Sequence, residues 1–334
     1  MSLTPTANAF SRQPTLPTAM KAAAVDRFGP PEVLRLHAVP VPKPGPREVL
    51  IALHAAGVGV WDAEVRTGTW QPGGPPTFPH IPGTDGAGIV VAAGARVRTF
   101  RPGDRAWACQ YANPKGGFYA EYAAVDIRNV GHVPPRLDLL HAGAVPTTGL
   151  TALQGIDDAL HVRRGETILI FGASGGVGTL AVQFARSRGA RVIGTASGRD
   201  ARALVRRLGA VEAIDARSPH GLDGLRIVAR GALDAALALA GGEGLERCLD
   251  LVRPGGRIAY PYGVEPEPRR RRIHHLVYDA IAGPREFERL DTAVVKARLQ
   301  VPLAAVYPLS QASKAHQRIA KGRILGRIVL RIRH

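Results

Sequence analysis

A glycine-rich loop at residues 172–178 carries the clearest chemical pattern in the sequence. It follows the apolar segment TILIF and precedes the amphipathic segment GVGTLAVQFARSRG, which is the order of a strand, a tight turn and a helix. Glycines in such a turn let backbone N–H groups approach a pyrophosphate, and the helix N-terminus adds partial positive charge. The sequence therefore predicts a dinucleotide site, with alanine in place of the first glycine of the usual pattern, at Ala173, Ser174, Gly175, Gly176, Val177 and Gly178.

The end of the next predicted strand, RVIGTAS, distinguishes between the two dinucleotides. An NAD site places Asp or Glu there to accept the ribose hydroxyls, whereas this chain has Ser197 and Arg199. Arginine can bind a 2′-phosphate through two N–H groups, and serine can donate a further hydrogen bond. Asp200 is interpreted as a first-turn residue of the helix that follows. We therefore expect NADPH as the cofactor.

The elements that position these residues divide the chain into two parts. From residue 20 to about 146, short β-type segments are separated by Gly and Pro, which predicts an all-β domain. Strands then alternate with helices, which predicts a parallel, doubly wound sheet whose helices end at Gly189 and Gly209. The stretch 273–298 is expected to be helical, and the tail after it reads strand, helix, strand and is expected to return to the first domain. The predicted class is α/β, with a disordered lead-in over 1–19, a β domain over 20–146 and 299–334, and a cofactor domain over 147–298.

Length, composition and charge limit the class of protein. A chain of 334 residues fits two domains, and 45% hydrophobic residues without a long apolar run predict a soluble protein with no membrane span. The two cysteines lack neighbouring ligands, which argues against a disulfide framework or a cysteine-rich zinc lobe and favours a reducing, cytoplasmic compartment. The net charge of +17 comes mostly from scattered arginines. We interpret it as a basic surface and not as a nucleic-acid site, with the run 269–272 as the exception.

Several motifs stand in a characteristic order: FGPPEVLRL, VPVPKPGPREVLIALHAAGV, FPHIPGTDGAGIVVAAGARVRTFRPGDRAWA, AVPTTGLTAL, VRRGETILIFGASGGVGTLAVQFARSRGARVIGTAS and the closing GRIVL. Together they resemble the medium-chain dehydrogenase/reductase superfamily in its zinc-free quinone oxidoreductase (zeta-crystallin-like) branch. The resemblance extends from about Met20 to Ile332. It implies a GroES-like β domain interrupted by a Rossmann cofactor domain, an active site in the cleft between them, and a homodimer.

The same resemblance implies hydride chemistry without a metal. The zinc alcohol dehydrogenases of the superfamily carry Cys at the position of Gly59 and His at the position of Thr84, and His80 alone is interpreted as structural, so no metal is expected. In the resembling reductases, hydride passes to a quinone or an α,β-unsaturated carbonyl that the protein aligns. By position, Thr151 should contact the cofactor near its nicotinamide, and the loop from Tyr260 to Gly263 should cover that ring. No catalytic side chain is identified.

The acceptor side departs from the family pattern. Where relatives commonly read G-V-N-P-x-D-x-Y, residues 57–64 read GVGVWDAE, so the usual Asn and Tyr are absent. Tryptophans and a tyrosine near this segment would line a flat mouth for a planar acceptor, unless they pack the core of the β domain. Asp62 is expected to accept hydrogen bonds from its own turn, with a proton relay as the alternative. The expected pocket residues are Gly59, Trp61, Asp62, Trp70 and Tyr111.

These patterns predict an NADPH-dependent reductase of quinones or enones. One alternative is an enoyl-thioester reductase of a fatty-acid or polyketide pathway, whose basic surface would suit an acidic carrier protein. The other is a weakly catalytic NADPH- and RNA-binding protein, which the charge and the resemblance permit. The glycine loop and the cleft motifs are intact, and basic residues are not interleaved with exposed aromatics, so the first reading is preferred.

Overall fold

The computed structural model of the chain describes residues 16–269 and 272–333, and it contains two large β-sheets. An antiparallel ribbon of two strands precedes the first sheet, which is formed by five further strands and two strands from the C-terminal part. The bounds are β1 Ala19–Ala24, β2 Arg35–Pro40, β3 Glu48–Val58, β4 Asp85–Ala93, β5 Arg105–Cys109, β6 Tyr122–Asp126 and β7 Val130–His132. The accompanying helices are α1 Val60–Thr67 and α2 Leu139–Ala142, and α3 Pro146–Gln154 then leads into the cofactor domain. Of the predicted lead-in, residues 1–15 lie outside the described residues, and β1 begins at Ala19.

Strand β3 is the centre of the first sheet. It pairs with β4 and β6, and nine of its eleven residues are buried, which fits its almost continuously apolar sequence EVLIALHAAGV. Because β3 is a central strand and ends at Val58, the residues that follow it leave the sheet from its middle. The turn at Gly59 and the start of α1 are thereby fixed in place.

The second sheet is parallel and doubly wound, as the sequence predicted. Its strand order is β10-β9-β8-β11-β12-β13, and every neighbouring pair is parallel. The order reverses between β8 and β11, and such a reversal opens a crevice at the carboxyl ends of the strands. The strands are β8 Thr167–Phe171, β9 Arg191–Thr195, β10 Glu212–Ile214, β11 Leu233–Ala238, β12 Val252–Pro261 and β13 His274–Tyr278. The helices are α4 Gly176–Ser187, α5 Arg199–Arg207, α6 Pro219–Val228, α7 Glu243–Leu249 and α8 Pro284–Ala297.

Two local predictions in this region had different outcomes. Gly189 and Gly209 follow α4 and α5 with φ of 83° and 116°, which confirms the expected left-handed helix ends. The prediction of a helix over 273–298 was wrong at its start, because residues 274–278 form β13 and the helix begins only at Pro284. The segment HHLVY has β-branched and aromatic residues, and its pairing with β12 outweighs the helical pattern downstream.

The C-terminal part returns to the first sheet, as predicted. It forms β14 Leu303–Pro308, α9 Ala312–Ala320 and β15 Arg327–Arg331, and β15 pairs antiparallel with β3. Just before β15, the Gly326 N–H donates to the Ser174 carbonyl over 2.8 Å, so the strand lies against the glycine loop. On this topology we propose the same domain division as above, at 20–146 with 299–334 and at 147–298. No helix within residues 16–269 and 272–333 is long and apolar enough to cross a membrane.

Candidate active site

The glycine loop lies in the crevice where the strand order reverses. Gly172 has φ of 85°, a conformation that glycine adopts without strain, and Gly175 caps the N-terminus of α4. A Cβ at Gly178 would overlap the Gly172 carbonyl oxygen, so only glycine permits this close approach of helix and strand. Ala173, at the position of the missing first glycine, is fully buried and donates its N–H to the Thr195 carbonyl. The loop therefore presents the N-terminus of α4 to the cleft, as a pyrophosphate site requires.

A cavity of about 330 Å³ separates this loop from the other domain. One wall consists of glycine-loop residues together with Leu239, and the opposite wall consists of Gly59, Trp61 and Arg327. Thr148, in the first turns of α3, also lines the cavity. The structure therefore brings the predicted phosphate loop and two of the predicted acceptor residues to the same cavity.

Arg327 forms a buried ion pair at the base of this cavity. Its Nη2 lies 2.8 Å from Asp85 Oδ1, and the two residues are only 4% and 0% exposed. Asp85 also accepts the Thr147 N–H over 3.0 Å, while the Nε and Nη1 of Arg327 have no hydrogen-bond partner among the described residues. A Cβ at Gly176 would lie 3.4 Å from Arg327 Cδ, so the guanidinium stem runs along the start of α4. A cation with spare N–H groups thus stands beside the glycine loop.

Trp61 occupies the space between Gly59 and Thr84. Its indole N–H donates to Thr84 Oγ1 over 2.6 Å, and a Cβ at Gly59 would overlap the indole ring. These are the two positions where the resemblance places zinc ligands in other dehydrogenases. A zinc ion does not fit here, because Gly59 has no side chain, the Thr84 hydroxyl is engaged and the ring fills the space between them.

Asp62 anchors the first turn of α1 from inside the domain. Its Oδ2 accepts the Gly59 N–H over 2.7 Å, as expected of a carboxylate at a turn, and the Tyr119 hydroxyl lies 3.3 Å away. His316 on α9 continues the network, since its Nε2 lies 3.1 Å from the Tyr119 hydroxyl. Burial and the nearby Asp85 carboxylate raise the pKa of Asp62 to about 7, and burial lowers the pKa of His316 to about 3.

Trp70 and Tyr111 lie together in a different cavity. Their rings meet edge to face with centroids 5.6 Å apart, and they help to line a cavity of about 670 Å³ in the β domain. The other walls come from residues 71–81 and 112–116, with Phe28 against Phe78. Tyr111 also packs against the core cluster that includes the cofactor domain. Trp70 and Tyr111 thus line this cavity and Trp61 lines the cleft cavity, although all three were expected in one mouth.

The predicted adenosine end of the crevice is polar and exposed. Ser197 and Arg199 are both exposed, and Arg199 is the first residue of α5. Asp200 lies in the first turn of that helix, as interpreted from the sequence. Asp215, at the end of β10, lies 3.3 Å from the Ser197 hydroxyl and pairs with Arg217 over 3.4 Å. A carboxylate is thus present near Ser197, but an arginine accompanies it.

Three other predicted cofactor residues lie outside the glycine loop. Thr151 is buried in α3, one turn beyond Thr148, and donates its hydroxyl to the Thr147 carbonyl. The Tyr260 side chain is 2% exposed and packs in the core of the cofactor domain, so its ring does not face the cleft cavity. Gly263 has φ of 85° in the loop after β12. The prediction that this loop covers a nicotinamide therefore concerns its backbone and not the Tyr260 ring.

Sequence reasoning missed Asp85, Arg327 and Thr148. Asp85 and Arg327 are 242 residues apart, so nothing in the local pattern indicates their pairing. A signal was nevertheless present at Gly57, where a Cβ would overlap both the Arg327 guanidinium and the Asp85 carboxylate. A glycine inside a long apolar strand often marks the close approach of another group.

Comparison with known proteins agrees with the fold. Residues 45–135 match the family "Alcohol dehydrogenase GroES-like domain", and residues 176–278 match the family "Zinc-binding dehydrogenase". The chain belongs to the medium-chain dehydrogenase/reductase superfamily, in its quinone oxidoreductase branch. It is an oxidoreductase of the quinone oxidoreductase type.

Particular relatives resemble it over almost the whole chain. The quinone oxidoreductase of Sus scrofa is 33% identical over 326 residues, which cover 93% of this chain and 97% of that protein. The structure of an NAD-dependent alcohol dehydrogenase is 30% identical with a TM-score of 0.86, over 94% of this chain and 100% of the other. A mycobacterial protein complexed with NADPH is 26% identical with a TM-score of 0.80, again over 94% and 100%. Relatives of this family therefore include proteins that bind nicotinamide cofactors.

Proposed function

We propose that this chain transfers hydride from NADPH to a quinone or an α,β-unsaturated carbonyl, without a metal. The observation that carries the proposal is the composition of the cleft. A glycine loop forms one wall, and the Trp61 indole on the other wall covers Gly59 and is hydrogen-bonded to Thr84, the two positions where zinc relatives have ligands. The quinone oxidoreductases among the relatives support the acceptor class.

In this proposal, the chain binds and orients the reactants. The N-terminus of α4 binds the pyrophosphate, and the Arg327 cation beside the start of this helix adds positive charge to the site. NADPH, when bound, supplies the hydride. Trp61, Leu239 and Thr148 narrow the cavity around the reacting carbon and exclude water from it. Backbone N–H groups of the acceptor pocket donate hydrogen bonds to the developing oxyanion, and its proton comes from solvent.

The choice of NADPH over NADH rests on Ser197 and Arg199. Both are exposed at the end of β9 and the start of α5, where the adenosine ribose of a Rossmann site lies. Asp215 would repel a 2′-phosphate, but Arg217 compensates its charge. The local balance therefore favours a phosphorylated ribose.

The test is NADPH oxidation at about 340 nm against a panel of 1,2- and 1,4-quinones, simple enones and a crotonyl thioester, with NADH in parallel. Turnover of quinones or enones with a preference for NADPH is expected. Turnover of the thioester alone would favour an enoyl-thioester reductase instead. NADPH binding without any turnover, combined with salt-dependent RNA binding, would favour the non-catalytic alternative.

We also propose a homodimer formed through the edge strand β13. This strand ends the second sheet, and apolar side chains on and near it are exposed: Tyr262 by 76%, Val277 by 50% and Ile281 by 62%. Exposed apolar edges of this kind are suited to pairing with a second copy. The two cysteines are buried free thiols, which suits the reducing cytoplasm that we propose as the location.

A further inference from the structure

The Trp61 side chain is held in one orientation by three independent contacts. Its N–H donates to Thr84 over 2.6 Å, its ring packs on the bare backbone of Gly59, and the Arg327 guanidinium carbon lies 4.8 Å from the ring centroid. A cation over an aromatic face and a hydrogen bond to the indole N–H both stabilise this orientation. The indole is therefore a fixed wall of the cleft and not a mobile surface residue.

The surrounding sequence makes room for this arrangement. Gly57 leaves space for the Arg327–Asp85 pair, and Gly59 leaves space for the indole. Asp62 fixes the backbone on which Trp61 stands, since it accepts the Gly59 N–H. The segment GVGVW thus specifies an aromatic ring at position 61. At positions 59 and 60, where this chain has Gly and Val, related sequences commonly have Asn and Pro.

The position of the indole limits where an acceptor can lie in the cleft and what shape it can have. The ring stands across the cavity from the glycine loop, so an acceptor must lie between Trp61 and the cofactor. Arg327, Gly59 and Thr84 each contact part of the indole, so an acceptor meets only the remaining ring surface that lines the cavity. A flat ring fits against such a wall, whereas a branched substituent directed toward Gly59 and Thr84 would collide with it.

We propose that Trp61 is the wall of the acceptor pocket opposite the cofactor and determines which acceptors bind. It admits flat quinone or enone rings and excludes acceptors that carry a bulky branch toward the β domain. This proposal rests on the proposed function. It concerns the size of the acceptor, which the reductase chemistry alone does not fix.

The experiment compares kcat/KM for the flat 1,4-naphthoquinone and the branched 2-tert-butyl-1,4-benzoquinone with NADPH. Trp61→Ala removes this wall and should raise the ratio of kcat/KM for the branched quinone to kcat/KM for the flat quinone at least about tenfold over wild type. Trp61→Phe keeps a ring in place and should change the ratio by less than about threefold. Because both acceptors use the same cofactor, any change in NADPH affinity cancels in the ratio.

Gly59→Ala gives a second, independent variant. The backbone there is extended, with φ of −118°, so alanine is not strained, but its Cβ would displace the indole while leaving tryptophan in the chain. It should raise the same ratio, and it keeps the proposal testable if Trp61→Ala does not fold by circular dichroism. A ratio within threefold of wild type in folded Trp61→Ala and Gly59→Ala would overturn the proposal. Failure of wild type to reduce any quinone or enone would instead overturn the proposed function, and this proposal with it.

Discussion

At the scale of single residues, the structure of the cleft depends on buried charged groups. Asp85 and Arg327 are almost fully buried, and each compensates the other, because an unpaired charge in such a place costs several kcal/mol. The pair also fixes the guanidinium beside the glycine loop. Asp62 has no such partner at hydrogen-bond distance, and its Oδ1 is buried without a hydrogen bond among the described residues.

The first prediction concerns Arg199 and the choice of cofactor. Replacing Arg199 with Glu places a negative charge where a 2′-phosphate is expected, so the KM for NADPH should rise at least about tenfold while the KM for NADH changes little. Steady-state kinetics with both cofactors measure this. Arg207→Glu, at the other end of the same helix, is the charge-matched control. Equal increases for NADPH and NADH would show that Arg199 does not bind the phosphate.

The second prediction concerns the proton on Asp62. Its pKa is raised from 3.8 to about 7, so the folded chain keeps this proton at pH values where the unfolded chain has lost it. Its contribution to the free energy of unfolding is therefore present below about pH 4 and is lost as the pH rises through about 7. Asp62→Asn keeps an oxygen for the Gly59 N–H but has no charge to gain.

Urea unfolding of both proteins at several pH values tests this. From about pH 5 to about pH 8, the stability of Asp62→Asn relative to wild type should increase by about 2.5 kcal/mol. His316, whose lowered pKa acts in the opposite sense at acid pH, is present in both proteins and cancels in the difference. A difference that stays constant with pH would mean that Asp62 titrates normally in the fold.

Residue-scale features could be read from the sequence when their partners are near in the chain. Asp62 was expected to accept backbone hydrogen bonds at its own turn, and its acceptance of the Gly59 N–H is a contact over three residues. Arg327 was not recognised, because its importance depends on Asp85 and Trp61, which β15 reaches only after the chain has passed through the cofactor domain. Tyr260 was expected at the cleft, yet the strand alternation turns its ring into the core.

At the scale of elements, the glycine loop and α4 form a single unit with the end of β8. The helix can start close to the strand because Gly178 has no side chain to meet the Gly172 carbonyl. This packing follows directly from the sequence pattern, and the strand, loop and helix were all predicted. Helix α1 was not predicted within the all-β domain, because its eight residues are too few for a clear apolar period.

The third prediction tests the glycine loop. Gly178→Ala forces the loop carbonyl and the helix apart, so the affinity for NADPH should fall at least about tenfold, as measured by isothermal titration calorimetry. Gly224→Ala is the control, because this glycine also lies in a helix of the cofactor domain but has no atom within 4 Å of its added Cβ. The control should bind NADPH normally and gain about 0.5 to 1 kcal/mol of stability. Similar affinities for both variants would contradict the role of the close approach.

At the scale of the whole molecule, the parallel sheet of the cofactor domain ends in two edge strands, β10 and β13. The apolar exposure is greater along β13 and its neighbouring loops, which is why we assign the interface to that edge. The division into a β domain and a doubly wound domain was predictable, since alternating strands and helices have a characteristic order. The strand at 274–278 was not, because five residues carry too little pattern to oppose a helical signal beside them.

The fourth prediction follows from this assignment. Val277→Lys places a charge on the β13 edge and should convert the dimer to a monomer in light scattering after size-exclusion chromatography. Val211→Lys is the matched control, because Val211 is 48% exposed, close to the 50% of Val277, and precedes the opposite edge strand β10. Dissociation by the control alone would place the interface at the other edge.

The return of β15 to β3 also sets the order in which the chain can fold. Strands β8 to β13 are contiguous, so the parallel sheet has all its strands once residue 278 has been synthesised. The first sheet lacks its β15 neighbour until residue 331, although β3 is made about 270 residues earlier. Contacts this distant in sequence form slowly, because a long loop must close before they are gained. During synthesis the inserted cofactor domain can therefore fold first. Until β15 is made, β3 in the N-terminal sheet lacks this partner strand on the side where the cleft forms.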